Sequence, residues 1–201
     1  TTHGTSERTP MGANLVPGGG ATFRVWAPEA LEVPVRLARH GRVIGRPEDD
    51  FQPAEQTRLR RTDDGRFVGF VPGVRDGDHY RFYIIQRTQP YKRDPYAREL
   101  EFYDWPNTDC IVRSPSSYPW HDAGFRTPSY DDAVIYQFHI GTYYDAFDGP
   151  REDRPYRVCK FLDAADRIPY LAELGITFVQ PLPVVEFRTQ RSLGYNGTDL
   201  F

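Results

Sequence analysis

The residues able to do acid and base chemistry are three adjacent aspartate pairs, Asp49 with Asp50, Asp63 with Asp64 and Asp131 with Asp132, together with His139 in an apolar run and the thiols of Cys110 and Cys159. Two carboxyls can divide proton donation and attack only if both reach one substrate. Neighbouring residues on a strand point to opposite faces, and in a turn both face water, so the pairs read as turn chemistry. His139 is a lone histidine on an apolar strand, which reads as a core residue, although the carboxyl end of a strand is also where barrel chemistry gathers. Two cysteines in 201 residues do not make a disulfide framework, and neither has a second Cys or His at a zinc-site offset, so both read as free thiols. Trp26, Trp105 and Trp120 carry faces that could stack on a sugar ring. Trp26 follows Phe23 and Val25 in an apolar strand and reads as internal packing, which leaves Trp105 or Trp120 as the surface candidates. Arg58, Arg60 and Arg61 read as a solvated face rather than an anion site.

The elements that must position these groups come in two kinds. Residues 21–26, 33–38, 65–71 and 79–86 are short apolar or alternating runs, separated by turn residues at 40–41, 63–65 and 76–78, as expected of strands in an antiparallel β-sandwich of immunoglobulin-like class. Residues 1–20, rich in Thr, Gly and Pro, read as a flexible arm. A Pro- and Ser-rich stretch, 113–132, reads as a linker between a sandwich at 21–112 and a second domain at 133–201.

In that second domain, 134–140 and 176–182 are apolar runs suited to strands buried on both faces. Between them 161–174 spaces Phe161, Leu162, Ala165, Ile168, Leu171, Ala172 and Leu174 as a helix does, with Gly175 as its cap. Pro169 must kink that helix or restart it. Strand, helix and strand make one βαβ unit of a parallel sheet. A closed eight-fold barrel takes about 250 residues, so 133–201 is expected to be its cut-off beginning.

The lysines and arginines number 25 against 28 aspartates and glutamates, a net charge of −3, too balanced for a nucleic-acid partner. No apolar run approaches the roughly 20 residues that span a bilayer, and residues 1–20 lack the basic-then-apolar layout of a secretion signal. A cytoplasmic protein is expected.

Four runs, 134–142, 161–175, 176–184 and 193–201, resemble the opening of an α-amylase-type catalytic barrel, glycoside hydrolase family 13. Phe23-Arg-Val-Trp-Ala-Pro28 and the strands after it are similar to carbohydrate-binding module family 48, the module that precedes this barrel in branching enzymes, isoamylases and trehalohydrolases. Arg93-Asp-Pro-Tyr-Ala97 and Trp105-Pro-Asn107 resemble the branching-enzyme version. The predicted fold class is therefore a multi-domain β plus α/β protein, an immunoglobulin-like sandwich followed by the first βαβ part of a truncated TIM (β/α)8 barrel.

The resemblance implies retaining hydrolysis or transfer at α-1,4 or α-1,6 glucosidic bonds, a reaction run by two carboxyl groups and no cofactor. It places those carboxyls beyond Phe201, so the 201-residue chain is expected to be inactive. It also implies an α-glucan partner such as glycogen, starch or maltooligosaccharide, contacted by Tyr195 stacking on the sugar, by Asn196, and with Asp199 and His139 at matching positions. Leu193 and Gly197 depart from the family pattern, which more often has an aromatic and a proline there. The rival reading is a stand-alone glycan-binding or protein-interaction module in which 133–201 only covers the sandwich.

Overall fold

Ala21, Phe23 and Val25 recur at every second position, the pattern of a strand with one buried face. In the computed structural model, which describes residues 4–38, 51–85, 88–101, 107–115, 118–144, 158–187 and 194–199, they lie on β2 (Ala21–Trp26), which pairs with β1 (Gly12–Leu15) before it. β1 falls inside the stretch expected to be a loose arm; the burial of Ala13 against the sheet orders it.

The next strands are β3 (Val35–Ala38), β4 (Arg60–Arg61), β5 (Arg66–Val71), β6 (His79–Tyr83), β7 (Tyr91–Lys92), β8 (Glu99–Leu100) and β9 (Cys110–Ile111). Among the described residues they form two antiparallel sheets, one ordered β1-β2-β5-β4 and the other β3-β6-β9-β8, with β7 also paired to β6. Phe23, Val25, Phe67 and Val71 from the first sheet and Val35, Tyr80, Phe82 and Cys110 from the second share one core. Two sheets facing one core make the sandwich that the turn spacing predicted. At its centre the Phe23 ring meets Tyr80 edge-on at 5.3 Å and Phe82 at 6.5 Å.

The Asp63 and Asp64 pair does serve a turn. The Asp64 carboxylate accepts the Thr62 hydroxyl at 2.6 Å and the Arg66 amide at 3.2 Å across the β4–β5 reversal, and these bonds hold its pKa down to about 2. Asp131 and Asp132 sit exposed in a short 3-10 turn, and Asp49 and Asp50 lie outside the described residues.

The chain divides into two units, Thr1–Pro119 and Trp120–Leu200. In the second, β10 (Ile135–Phe138) pairs in parallel with β11 (Phe178–Pro181), and β12 (Glu186–Phe187) pairs antiparallel with β13 (Gly197–Asp199). Helices α1 (Ile140–Tyr143), α2 (Phe161–Ala165) and α3 (Ile168–Glu173) lie on the connection from β10 to β11. The expected helix does restart at Pro169, which occupies the first turn of α3, where its missing amide donor costs nothing. Gly175, at φ +89°, ends it: its own amide bonds the Ala172 carbonyl and that of Ile176 bonds Leu171, each at 3.0 Å.

The expectation of strands buried on both faces fails. In β10 only Phe138 is buried, Ile135 is 55% exposed, and Val179 of β11 is 42% exposed. Phe161, Leu162 and Leu174 are exposed too, whereas Leu171 is buried. The cause is that β10 and β11 make a sheet of two strands among the described residues, too narrow to cover what the apolar pattern supplies.

Replacing Phe23 by Ala is expected to lower the stability of the first unit by about 3 to 5 kcal/mol, the usual cost of emptying a buried aromatic site. Urea unfolding followed by tyrosine fluorescence measures it, and a loss below about 1 kcal/mol contradicts the shared core.

Candidate functional site

β6 carries two sets of side chains because successive residues leave a strand on opposite faces. Tyr80 and Phe82 enter the core, so His79, Arg81 and Tyr83 face the other way. On that outer face Tyr83 pairs across the ladder with Tyr91, their rings edge to face at 5.0 Å, and the Phe51 ring meets Tyr83 at 5.4 Å. The Arg36 guanidinium lies over Phe51, 5.1 Å from its centre. All four side chains are half-buried, so three aromatic rings in a row form a platform along the sheet. Aromatic rings take the apolar face of a sugar, and a guanidinium at the end of the row can donate to paired hydroxyls.

The same face of β6 is anchored by a buried ionic cluster. The Asp109 carboxylate lies 2.8 Å from Arg81 Nε and 3.3 Å from His79 Nδ1, and His79 Nε2 lies 3.6 Å from Glu101. His79, Arg81 and Asp109 are all buried. A buried charge of this kind holds only while its partners stay in place, which fixes the strand that bears the platform. Among the described residues no group of three His, Cys, Asp or Glu side chains could hold a metal.

On the core side Asp94 is 1% exposed. Its carboxylate accepts the Tyr80 hydroxyl at 2.7 Å and the Tyr96 amide at 2.8 Å, while its own amide donates to Cys110 Sγ at 3.1 Å. Burial pushes its pKa up to about 6 against the pull of those hydrogen bonds and of Arg98. Burial also pushes the Cys110 thiol up to about 12, so this thiol stays protonated and inert. Cys110 and Cys159 are both buried and unlinked.

The site residues expected from sequence lie in the second unit. His139 follows β10 and precedes α1, half-buried, with Nδ1 3.4 Å from the Thr142 hydroxyl. Tyr195, 72% exposed, sits with the exposed Asn196 on the turn before β13. The backbone at Gly194 runs so close to Pro183 that a Cβ would stand 1.9 Å from its carbonyl oxygen, and φ is +85°, so glycine is required here. Pro183 lies just past β11 and His139 just past β10. Tyr195 is therefore anchored beside the carboxyl end of the parallel pair, the end that also holds His139. Asp199 pairs with Glu186 through β13 and β12. Leu193 and Trp105 lie outside the described residues.

Trp120 is 72% exposed, as expected of a surface tryptophan, but Trp26 is 62% exposed, which corrects its assignment to the interior. On β2 it falls out of phase with Phe23 and Val25, and period two sends it to the opposite face. The platform of Phe51, Tyr83 and Tyr91 was not evident from sequence because Phe51 lies some thirty residues before the two tyrosines; the signal available was that Tyr83 is out of phase with Tyr80 and Phe82.

Comparison with known proteins bears directly on this platform. The profile of carbohydrate-binding module 48, described as the isoamylase N-terminal domain, matches residues 10–97, the segment that contains all four platform side chains. Residues 10–97 are thus similar to a carbohydrate-binding module 48. The whole chain is similar to glycoside hydrolase family 13 enzymes. It is 33% identical to the 1,4-alpha-glucan branching enzyme GlgB of Bacillus caldolyticus over 95% of its own length and 28% of the relative's. It is 31% identical to the malto-oligosyltrehalose trehalohydrolase of Deinococcus radiodurans, covering 96% of this chain and 27% of that one. A crystal structure from Salmonella typhimurium, assigned provisionally as an alpha amylase, superposes with a TM-score of 0.68 at 28% identity over 94% of this chain and 27% of its own. The chain thus spans little more than a quarter of the length of the curated relatives it matches. Among the described residues no helix is long and apolar enough to cross a membrane.

The buried Asp94 makes the stability of the module depend on pH. Its carboxyl titrates at about 6 when folded and near 4 when unfolded, so between those values the folded chain holds the extra proton and stability declines as pH rises. The contribution is present below about pH 4 and lost above about pH 6, a change of about 3 kcal/mol. Asp94→Asn, which keeps an acceptor for the Tyr96 amide, is expected to flatten that decline. Urea midpoints of both proteins across this range test it, and parallel curves refute it.

Proposed function

We propose that this chain contributes α-glucan binding to an α-amylase-type enzyme that cleaves or transfers α-1,4 or α-1,6 glucosidic bonds. The observation that carries the reading is the row of Phe51, Tyr83 and Tyr91 with Arg36 at its end, on one sheet face of a segment similar to a carbohydrate-binding module. A linear glucan presents one sugar face after another, and rings set edge to face with centres 5.0 to 5.4 Å apart offer it an apolar surface of alternating ring faces and edges. The names of the relatives, a branching enzyme and a trehalohydrolase, point to glucan and malto-oligosaccharide chemistry.

The second unit is read as the first βαβ part of a (β/α)8 barrel, with its domain at 133–201, a linker at 113–132 and the sandwich at 21–112. The parallel β10–β11 pair supports this, as do the exposed apolar side chains of Ile135, Val179 and Leu162, which suit strands and helices that further barrel elements would cover. In this reading Tyr195 stacks on the sugar at the cleavage subsite and Asn196, Asp199 and His139 stand near it, since barrel chemistry is done at the carboxyl ends of the strands. The paired carboxyls that break the bond are assigned to the part of such an enzyme that these residues do not cover.

Two measurements test this. Tyr83→Ala and Tyr91→Ala are each expected to weaken retention on amylose about tenfold, or about 1.4 kcal/mol, with the far-ultraviolet spectrum unchanged; equal retention of variant and parent in affinity electrophoresis refutes the platform. Residues 1–201 alone are expected to release no reducing ends from amylose and to add no branches, and turnover by the purified chain would place the carboxyl pair within it.

A further inference from the structure

A concave surface lies where the end of β2 and the loop after it meet Phe82, Ile84, Lys92 and Arg93. It is a groove of about 570 Å³, within the range of small-molecule sites. Val25, Ala30, Phe82 and Ile84, all buried, form its apolar floor. Trp26 forms one lip, with its indole 62% exposed, and Glu29, Lys92 and Arg93 also line it.

The lip is held in place. The Ala30 amide closes a turn onto the Ala27 carbonyl at 3.0 Å, and the Ala27 amide bonds Gly65 at 3.1 Å. The Arg61 guanidinium donates to the Pro28 and Ala30 carbonyls at 2.7 and 2.9 Å. Four hydrogen bonds thus hold the loop that follows Trp26, so the large apolar ring meets a ligand from an ordered support. An apolar floor ringed by both signs of charge suits a neutral ligand with many hydroxyls. The indole takes the apolar ring face, while guanidinium and ammonium donate to oxygens and the carboxylate accepts hydroxyl protons.

We propose that this groove is a second saccharide site, which takes the end of a short α-glucan against Trp26 while the chain continues elsewhere. It rests on the reading of the module as glucan-binding and adds a site that the platform does not supply. Two sites on one module raise retention of a long glucan well above that of either site alone.

The test is titration of the full chain with maltotriose, by calorimetry and by the indole proton resonances. Wild type is expected to bind two equivalents and to shift the Trp26 indole signal. Trp26→Ala is expected to bind one equivalent, Trp26→Phe to retain the second with affinity lowered by less than about tenfold, and the Tyr83→Ala, Tyr91→Ala double variant to lose only the other site. An unshifted Trp26 signal in wild type, or two equivalents bound by Trp26→Ala, overturns the groove and leaves the platform standing. Absence of maltotriose and amylose binding in wild type overturns both. The wild-type indole reading keeps the outcome independent of how the variants fold.

Discussion

The alternation of side chains along β6 is the constraint on which the first unit depends. Tyr80 and Phe82 must enter the core because their rings close the space around Phe23. Once they do, backbone geometry sends His79, Arg81 and Tyr83 to the other face. A slip of one residue in the β3–β6 register would exchange the two sets, putting a histidine and an arginine into an apolar core and the aromatic pair into water. Core, ionic cluster and aromatic platform are therefore consequences of a single register, held by the pairing of Val35 with Phe82 and of His79 with Ile111.

Buried polar groups then stiffen what the register places. Asp94 ties the turn before Tyr96 to Tyr80 on β6 and to Cys110 on β9. Arg113 bridges Glu99 of β8 and Asp76 of the turn before β6, with Nη2 at 2.9 Å from Glu99 and Nη1 at 3.4 Å from Asp76. The Asp94 contacts are costly to break singly, since each would leave a buried group without its partner, whereas the Arg113 pairs lie at the exposed surface and add little. Rigid surroundings matter to a binding surface because rings already in place lose little freedom when a sugar docks.

The second unit is organised differently. A small buried group, Phe138, Cys159 and Ala164, packs with the Tyr143 ring 4.4 Å from Phe138, and the Arg167 guanidinium caps Tyr144 at 3.6 Å. Around it Ile135, Leu162, Leu174 and Val179 remain exposed. The carboxyl end of its parallel pair is nonetheless defined, because the close approach of Gly194 to Pro183 anchors the Tyr195 turn there.

Local signals in the sequence were enough for the strands at 21–26 and 66–71, the helix restart at Pro169, the Gly175 cap and the turn role of Asp63 and Asp64. Each depends on residues within a few positions of one another, where backbone sterics and short hydrogen bonds decide the outcome. The likeness of the ordered runs to a glucan-enzyme family was legible too, and it led to Tyr195 and His139 without giving their surroundings. Only tertiary structure decided that β10 and β11 stay largely exposed, and that Phe51, Tyr83 and Tyr91 form one row with Arg36. Those features are set by which strand pairs with which and in what register, a matter of contacts between residues far apart along the chain that no local pattern encodes.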